Sequence, residues 1–405
     1  MVGILNGLKV LDFTTLLPGP FAAMMLADMG ADVIKVESPE RVDLTKYVPP
    51  MDGGVSALFG QLQRSKRSLA LDLKQTEARE IVYQLVQKYD IVIEQFRPGI
   101  MDKLGIGYEK LKEINPSVIY CSITGYGQTG PLRNRAGHDN NYLALAGIAS
   151  YSSRENEAPV PTGIQVADLA GGSQPSVIGI LAAVYHREKT GEGQYVDISM
   201  TDAVFSLNAM YGSGYLAGGR EPEPESEMLN GGSFYDYYET IDHRYLSVGS
   251  LEPQFQARLC TLIGDSNLVK LSSSQKLEDQ HAFKRILAEE IKKKTFEEWL
   301  TILGDDFDGC VEPVLKFSEA VNHSQIKERN LVVSVPKPQG GTQKQIAFPI
   351  KFSTQSAEYR FTGVETGTHT EEILAEAGFD SHMFEALADK GVFGKQLKSK
   401  GDARV

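Results

Sequence analysis

The stretch KVLDFTTLLPGPFAAMMLADMGADVIKVE, residues 9–37, indicates the fold because it reads as strand, loop, helix and strand in succession. Lys9–Phe13 is a short apolar run typical of a buried strand. Pro20–Met29 predicts a helix, since proline suits a first helical turn and Gly30 suits a left-handed cap after the last one. Val33–Glu37 predicts the next strand. This order favours two parallel strands joined by a right-handed crossover.

The same alternation continues as far as residue 199. Further strands are predicted at Ser68–Leu73, Asp90–Phe96, Val118–Ile123 and Tyr195–Ser199, with helices from Thr76, near Tyr108–Ile114 and over Asp168–Arg187. We therefore predict an α/β fold whose large domain is Rossmann-like and built on a parallel sheet. The dinucleotide fingerprint is missing, because the first β–α turn, Thr14–Pro20, has one glycine where GxGxxG needs three. Classical NAD binding is therefore not expected.

The composition changes after a predicted helix at 202–216. Gly218–Asn230 contains two prolines and four glutamates and is typical of a solvated linker. Beyond it the sequence predicts a smaller α+β unit, then a return to short strands. The predicted elements are a hairpin of Phe234–Thr240 and Arg244–Val248, helices at Pro253–Ile263, His281–Lys293 and Thr295–Leu303, strands at Leu331–Val335 and Ile346–Phe352, and a helix opened by the capping-box-like Thr368–Glu371.

Four segments summarise the predicted organisation. Residues 1–200 form the large α/β domain. Residues 201–229 form a linker helix and acidic linker, 230–330 the small α+β domain, and 331–405 a return to the large domain followed by a Lys-rich tail from Lys390.

Charge and composition exclude several classes of protein. With 41 basic and 53 acidic residues, the net charge of −12 argues against a general nucleic-acid binder. No apolar run approaches the ~18 residues of a membrane span. The three cysteines are far apart and predict neither a disulfide framework nor a zinc site. We see no secretory signal and no peroxisomal address, so a cytoplasmic protein without a metal is expected.

Three residues stand out as candidates for acid–base chemistry. His138 lies in GHDNNY, residues 137–142, which reads as a loop leading into a helix whose free N–H groups can stabilise an anion. Asp168 precedes a helix that starts with small residues, and Glu252 precedes a helix that opens with proline. Each has a structural alternative: His138 as an exposed neighbour of a cap, Asp168 as an N-cap, and Glu252 as an acid that complements the helix dipole.

Several motifs, taken together, resemble the family III CoA-transferases. They are Leu17–Phe21, Leu26–Val33, Lys66–Ser68, Phe96–Gly99 and Thr124–Pro131. Within that family, Gly137–Tyr142, Asp168 in VADLAGG and Glu252 in LEPQF resemble the α-methylacyl-CoA racemase branch. The similarity runs from about Leu5 to Phe379.

The racemase resemblance implies a reaction and a set of contacts. His138 and Asp168 would exchange the roles of base and acid at C2 of a 2-methylacyl-CoA, through an enolate held by N–H groups near Asp139. Glu252 would orient His138 and stabilise its imidazolium. No cofactor is implied, since coenzyme A (CoA) belongs to the substrate. The resemblance implies that the large α/β domain, residues 1–200, binds it. The implied contacts to CoA or the thioester are Lys66, Leu71, Asp72, Leu73, Lys74, Arg97, Gly137, Asp139, Asn140, Asn141 and Tyr142.

The resemblance also implies an interlocked homodimer in which each active site draws on both chains. Two other functions stay open: a CoA-transferase with Asp168 as nucleophile, and an acyl-CoA-binding protein without turnover. For Asp168 to deliver a proton, its pKa should lie well above about 3.9, and the sequence does not say whether burial or the helix dipole dominates. Related chains place arginine where Ser38 follows Glu37, so Arg41 or Lys66 would have to meet the CoA phosphate here.

Overall fold

The computed structural model describes residues 3–394. Most of the predicted Lys-rich tail, from residue 395, lies outside the described residues. The chain divides into two compact units. The first comprises Met1–Leu143, Ile164–Ser206 and Gln325–Val405, and the second comprises Ala144–Gly163 and Leu207–Ser324.

A six-stranded parallel sheet organises the first unit. Its strands are Lys9–Asp12, Asp32–Glu37, Arg67–Ala70, Ile91–Glu94, Ile119–Thr124 and Tyr195–Ser199. Numbered along the chain, they lie in the order 3-2-1-4-5-6 and every neighbouring pair is parallel. This is the doubly wound order, so the predicted Rossmann-like α/β class is confirmed.

The helices of the first unit cover the sheet with apolar faces. They are Pro18–Asp28, Ala57–Leu62, Thr76–Val86, Ile100–Lys103, Tyr108–Ile114, Gln174–Thr190, Met200–Ser206, Thr370–Glu376 and Ser381–Asp389. Asp139–Leu145 starts in this unit. Thr76–Val86 buries Ala78, Ile81, Val82, Leu85 and Val86, the helical period predicted from the sequence. Gly30 has φ of 98°, as expected of a left-handed cap.

The second unit is a three-stranded antiparallel sheet with helices beside it. Its strands are Asp236–Glu239, Tyr245–Val248 and Val311–Pro313, with Tyr245–Val248 in the middle. The helices include Tyr211–Gly218, Pro253–Leu262, Val269–Ser272, Leu277–Ile291, Phe296–Leu303 and Phe317–Ala320. Phe234, Phe283 and Trp299 lie in its core, and the Trp299 indole N–H donates to the Ile291 carbonyl at 2.8 Å. The predicted hairpin is confirmed.

The sequence placed three local features wrongly. The predicted helix 202–216 is two helices, Met200–Ser206 and Tyr211–Gly218, because Asn208 between them uses its side chain to bond the Ala146 carbonyl and the Tyr151 hydroxyl. The strand predicted at Ile346–Phe352 is instead Thr342–Ile346, paired with Val332–Pro336.

The third is the capping box predicted at Thr368–Glu371, which is not formed. The helix begins at Thr370, and its N-cap His369 makes no side-chain cap bond. The Thr368 hydroxyl donates to the Glu365 carbonyl instead. The Thr370 hydroxyl accepts the Ala70 N–H, which connects the first residue of the helix to the strand Arg67–Ala70.

Within residues 3–394 there is no helix that combines the length and the apolar character needed to cross a membrane.

Arg64 and Asp28 form a buried ion pair that also contacts the C-terminal part of the first unit at Ile346. The Arg64 guanidinium donates to both carboxylate oxygens of Asp28, at 2.8 and 2.6 Å, and to the Ile346 carbonyl at 2.7 Å. Both charged side chains are almost fully buried. We expect Arg64→Ala to lower the free energy of unfolding by about 3 to 5 kcal/mol, because it leaves the Asp28 carboxylate buried without a partner.

Urea unfolding of Arg64→Ala measures this loss. Arg258→Ala is the matched control, since Arg258 pairs with Asp308 on the surface and is expected to cost less than about 1 kcal/mol. Equal losses for the two variants would contradict the role given to the buried pair.

Candidate active site

Asp168 lies in a π-helical turn, Ala167–Ser173, that leads directly into the helix Gln174–Thr190. The predicted helix is confirmed, but its first turn is wider than an α-helical one: the Gln174 N–H bonds the Leu169 carbonyl five residues before it. The residue flanking the turn is Val166, so Asp168 stands inside the helix and is not its N-cap. Single π turns are rare and occur frequently at functional sites.

His138, Asp139 and Asp168 are brought together although Asp168 is far along the chain from the other two. The carboxylate of Asp139 accepts the backbone N–H of Asp168 at 2.9 Å. Burial, and then the neighbouring Asp139 carboxylate, raise the pKa of Asp168 to about 6, while His138 acts in the opposite direction. Burial therefore dominates, which answers the question that the sequence left open.

The loop before the helix Asp139–Leu145 presents His138 to solvent. The His138 N–H donates to the Asn141 side chain at 2.9 Å, and the Tyr142 hydroxyl donates to the Gly137 carbonyl at 2.5 Å. A Cβ at Gly137 would lie 2.7 Å from the Tyr142 ring, so only glycine fits there. The buried Tyr142 ring braces the loop, and the imidazole of His138 stays exposed.

Glu252 lies in the second unit, immediately before the helix Pro253–Leu262. Its carboxylate makes no cap bond to the helix and is exposed. The nearby Cys310 thiol has its pKa raised by burial and then by Glu252. Glu252 occupies the N-cap position without a side-chain cap bond, so its structural alternative, an acid that complements the helix dipole, stays open.

The segments assigned to CoA lie at the carboxyl ends of strands. Leu71 is buried, and Asp72, Leu73 and Lys74 follow the strand Arg67–Ala70, with the Asp72 carboxylate accepting the Lys74 N–H at 3.2 Å. Arg97 is exposed beyond the strand Ile91–Glu94. In doubly wound sheets this edge is where ligands bind.

Lys66 is not exposed to a ligand, contrary to the role that the sequence suggested. Its ammonium is buried and donates to the Asp12 carboxylate at 3.1 Å, the Pro20 carbonyl at 2.8 Å and the Gln63 side chain at 3.0 Å. All three N–H donors are thus used within the protein. Burial lowers the pKa of Lys66 to about 8. Lys66 holds the start of the helix Pro18–Asp28, and we leave it out of the CoA contacts.

Lys46 is a basic residue at the same sheet edge that the sequence analysis missed. Its ammonium lies 3.0 Å from the Glu37 carboxylate, and it lines a cavity of about 490 Å³ together with Ser38 and Phe59. The Ser38 hydroxyl accepts the N–H groups of Glu40 and Arg41. The signal in the sequence is weak, because Lys46 lies nine positions beyond Glu37, in the short 3-10 helix Leu44–Tyr47.

Comparison with known proteins gives the family. The model of CoA-transferase family III matches residues 5–370. The chain belongs to this family. Human α-methylacyl-CoA racemase is 34% identical over 398 residues, covering 98% of this chain and 99% of the relative. Succinate–glutarate CoA-transferase from Agrobacterium fabrum is 33% identical over 384 residues, covering 92% and 95%.

Solved structures agree with the family assignment. A CAIB/BAIF family protein from Brucella suis superposes with a TM-score of 0.81 at 32% identity, covering 93% of this chain and 100% of that one. Because a racemase and a transferase are 34% and 33% identical to this chain, sequence identity does not distinguish the two activities.

Because its pKa is raised, Asp168 is expected to lower the free energy of unfolding at a pH where its carboxylate is ionised. A carboxyl whose folded pKa lies near 6, above its ordinary 3.8, stabilises the fold fully below pH 3.8, and this contribution is lost as the pH rises through 6. At pH 8 the ionised, partly buried carboxylate therefore costs stability. We expect Asp168→Asn to raise the free energy of unfolding at pH 8 by about 1 to 2 kcal/mol, discounted for partial exposure.

Urea unfolding at pH 8 and pH 4 measures this difference between the Asn variant and the wild type. The free energy of unfolding of Asp168→Asn should exceed that of the wild type at pH 8, and the difference should be smaller at pH 4. A gain of the same size at both values would show that ionisation of Asp168 is not its cause.

Proposed function

We propose that this family III protein inverts C2 of 2-methyl-branched acyl-CoA thioesters by two-base 1,1-proton transfer. The observation that carries the proposal is the pairing of an exposed imidazole, His138, with a partly buried carboxyl, Asp168, whose pKa is raised to about 6. A base and an acid that work near neutral pH need pKa values close to it.

The reaction needs a base on one face of C2 and an acid on the other. One residue of the pair takes the C2 proton as the C–H bond breaks, and the other returns a proton to the enolate from the opposite face. With a pKa near 6, roughly one Asp168 side chain in ten is protonated at pH 7, which leaves both forms available. His138 and Asp168 can then exchange roles with the hand of the substrate.

The enolate oxygen is proposed to lie at the start of the helix Asp139–Leu145, close to the Asp139 N–H. Donors aimed at developing charge are among the strongest contributors to such reactions. The side chain of Asp139 already accepts the Asp168 N–H, so the same residue would link the oxyanion site to the acid–base pair.

Glu252 is proposed to reach His138 across a homodimer, as Glu252 of the partner subunit. Its carboxylate is exposed on the second unit and caps no helix. The helix Gln174–Thr190 exposes Ile178 and Tyr185 by 68% and 64%, seven positions apart and so on one face. An exposed apolar face of this kind fits a surface that a second copy covers.

The CoA moiety is proposed to lie along the carboxyl edge of the sheet, against Asp72–Lys74 and Arg97. With Lys66 buried, Lys46 is the basic side chain at the cavity beside Ser38 and is proposed to meet a CoA phosphate. No separate cofactor is included in the proposal.

A CoA-transferase is the second candidate, because transferase relatives reach 33% identity over nearly the whole chain. In that reaction Asp168 would attack the thioester carbonyl and form an anhydride with release of CoA thiolate. The thiolate would then attack the Asp168 carbonyl of the anhydride, expel the acyl group as its carboxylate and leave an enzyme–CoA thioester. An acyl-CoA-binding protein without turnover is the third, and the intact acid–base pair weighs against it.

The experiment that separates these functions gives the purified protein a 2-methylacyl-CoA and a free carboxylic acid in D₂O. Deuterium at C2 together with inversion supports the racemase. Transfer of CoA to the free acid, with an enzyme–CoA adduct in the intact mass, supports the transferase. Binding without either product would leave only the acyl-CoA-binding protein.

A further inference from the structure

Ser173 closes the π-helical turn that carries Asp168. Its side chain is fully buried, so its hydroxyl must be satisfied inside the protein. The hydroxyl donates to the Pro18 carbonyl at 2.7 Å and lies 3.2 Å from the Asp168 carbonyl. One side chain therefore connects the peptide of Asp168 to the start of the helix Pro18–Asp28.

Two glycines let the turn come close enough for this contact. A Cβ at Gly171 would lie 2.8 Å from the Val204 side chain and 3.0 Å from the Met200 carbonyl. A Cβ at Gly172 would lie 3.0 Å from Pro18. The turn is thus packed directly against two neighbouring segments, and Ser173 adds a hydrogen bond to one of them.

Side chains of Asp139 and Ser173 contact the peptide groups on both sides of Asp168. Its N–H is accepted by the Asp139 carboxylate, and its carbonyl lies beside the Ser173 hydroxyl. Because Asp139 directly follows His138, these contacts relate the backbone of one member of the acid–base pair to that of the other.

We propose that Ser173 is a positioning residue that sets where the Asp168 carboxyl lies relative to His138. The inference rests on the proposed racemase function. Ser173 touches neither substrate nor the reacting atoms; it acts through the backbone of Asp168. Loss of the hydroxyl removes the contact that links the turn to the Pro18 carbonyl and frees the turn to shift, and a displacement of about 1 Å can cost on the order of 100-fold in rate.

The test uses two buried serines of the same helix. Ser176 is also fully buried, but its hydroxyl donates to the Gly172 carbonyl at 2.7 Å and does not approach Asp168. We compare Ser173→Ala with Ser176→Ala in D₂O, starting from the substrate hand that His138 deprotonates. Deuterium uptake with retention reports His138 alone, whereas inversion needs proton delivery by Asp168.

In Ser173→Ala we expect inversion to fall about 10- to 100-fold and to fall more than exchange with retention, so that the ratio of exchange to inversion rises. In Ser176→Ala this ratio should stay at the wild-type value, while the unfolding midpoint drops by a similar amount in both variants. If Ser173→Ala does not fold, Ser173→Cys keeps a similar volume with a weaker donor, and the ratio should rise by a smaller factor.

Two failures are distinguishable. A wild type that neither exchanges nor inverts C2 overturns the proposed function and this inference with it. A wild type that inverts C2, with the same exchange-to-inversion ratio in the Ser173 variants as in Ser176→Ala, overturns the role of Ser173 alone.

Discussion

Replacing Asp168 with asparagine is expected to lower the rate of C2 inversion by about three orders of magnitude, within the range that general acid–base groups contribute. Asparagine keeps the shape of the side chain and removes its proton exchange. His138 is untouched and can still take a proton from one hand of the substrate and return a deuteron to the same face. For that hand, deuterium uptake with retention should therefore survive, whereas the other hand should show neither uptake nor inversion.

Chiral separation of the acyl group with mass detection of deuterium measures both quantities. Asp197→Asn is the matched control, because Asp197 is another carboxyl of the first unit whose pKa is raised by burial. That variant should invert C2 at the wild-type rate. If Asp168→Asn took up deuterium at C2 equally fast from both hands of the substrate, the two-base assignment would be contradicted.

Co-expression of two inactive variants is expected to restore activity if the site is shared between chains. His138→Ala and Glu252→Ala homodimers should each lose about 100-fold or more, since one lacks a base and the other lacks the carboxylate that orients it. In a hybrid dimer one site carries both substitutions and the other carries neither. Co-expression in equal amounts should then recover about a quarter of the wild-type activity, as half of the dimers are hybrids with one intact site.

A site built within one chain gives the opposite result. Each site of the hybrid would then carry one of the two substitutions, and co-expression would recover nothing. Separately purified variants, mixed without subunit exchange, provide the control and should stay inactive in either case.

The parallel-sheet class of the large domain could be predicted from sequence because its signals are local and repeated. Each apolar strand is followed by a helix with a clear apolar period, such as Thr76–Val86, and parallel crossovers then limit the topology. The segment at residues 342–352 shows the limit of this reasoning. Its apolar residues suggested a strand at Ile346–Phe352, yet the paired strand is the polar Thr342–Ile346.

The resemblance selected His138 and Asp168 as candidates, but the sequence did not give their geometry. In the structure the Asp168 N–H donates to the carboxylate of Asp139, the residue that follows His138, although the two bonded residues are 29 positions apart. No local pattern reports such a contact. The π turn could not be predicted from the sequence either, because it depends on how Gly171 and Gly172 pack against distant segments.

Lys66 shows how a motif can identify an important residue and misplace its role. Its position in a family motif pointed to phosphate binding, but the side chain is buried on Asp12, Pro20 and Gln63. Burial is a property of the folded chain, and a lysine in a sequence is expected to be exposed. Lys46, twenty positions earlier, lies beside Glu37 and lines the cavity proposed for the phosphate contact.

The most direct measurement of the proposed function is the wild-type time course in D₂O, begun separately from the 2R and the 2S forms of one 2-methylacyl-CoA. We predict that both reactions reach the same 2R/2S mixture and that every inverted molecule carries deuterium at C2. Both hands remaining optically pure, while CoA moves to an added carboxylic acid, would contradict the proposal and make this protein a CoA-transferase.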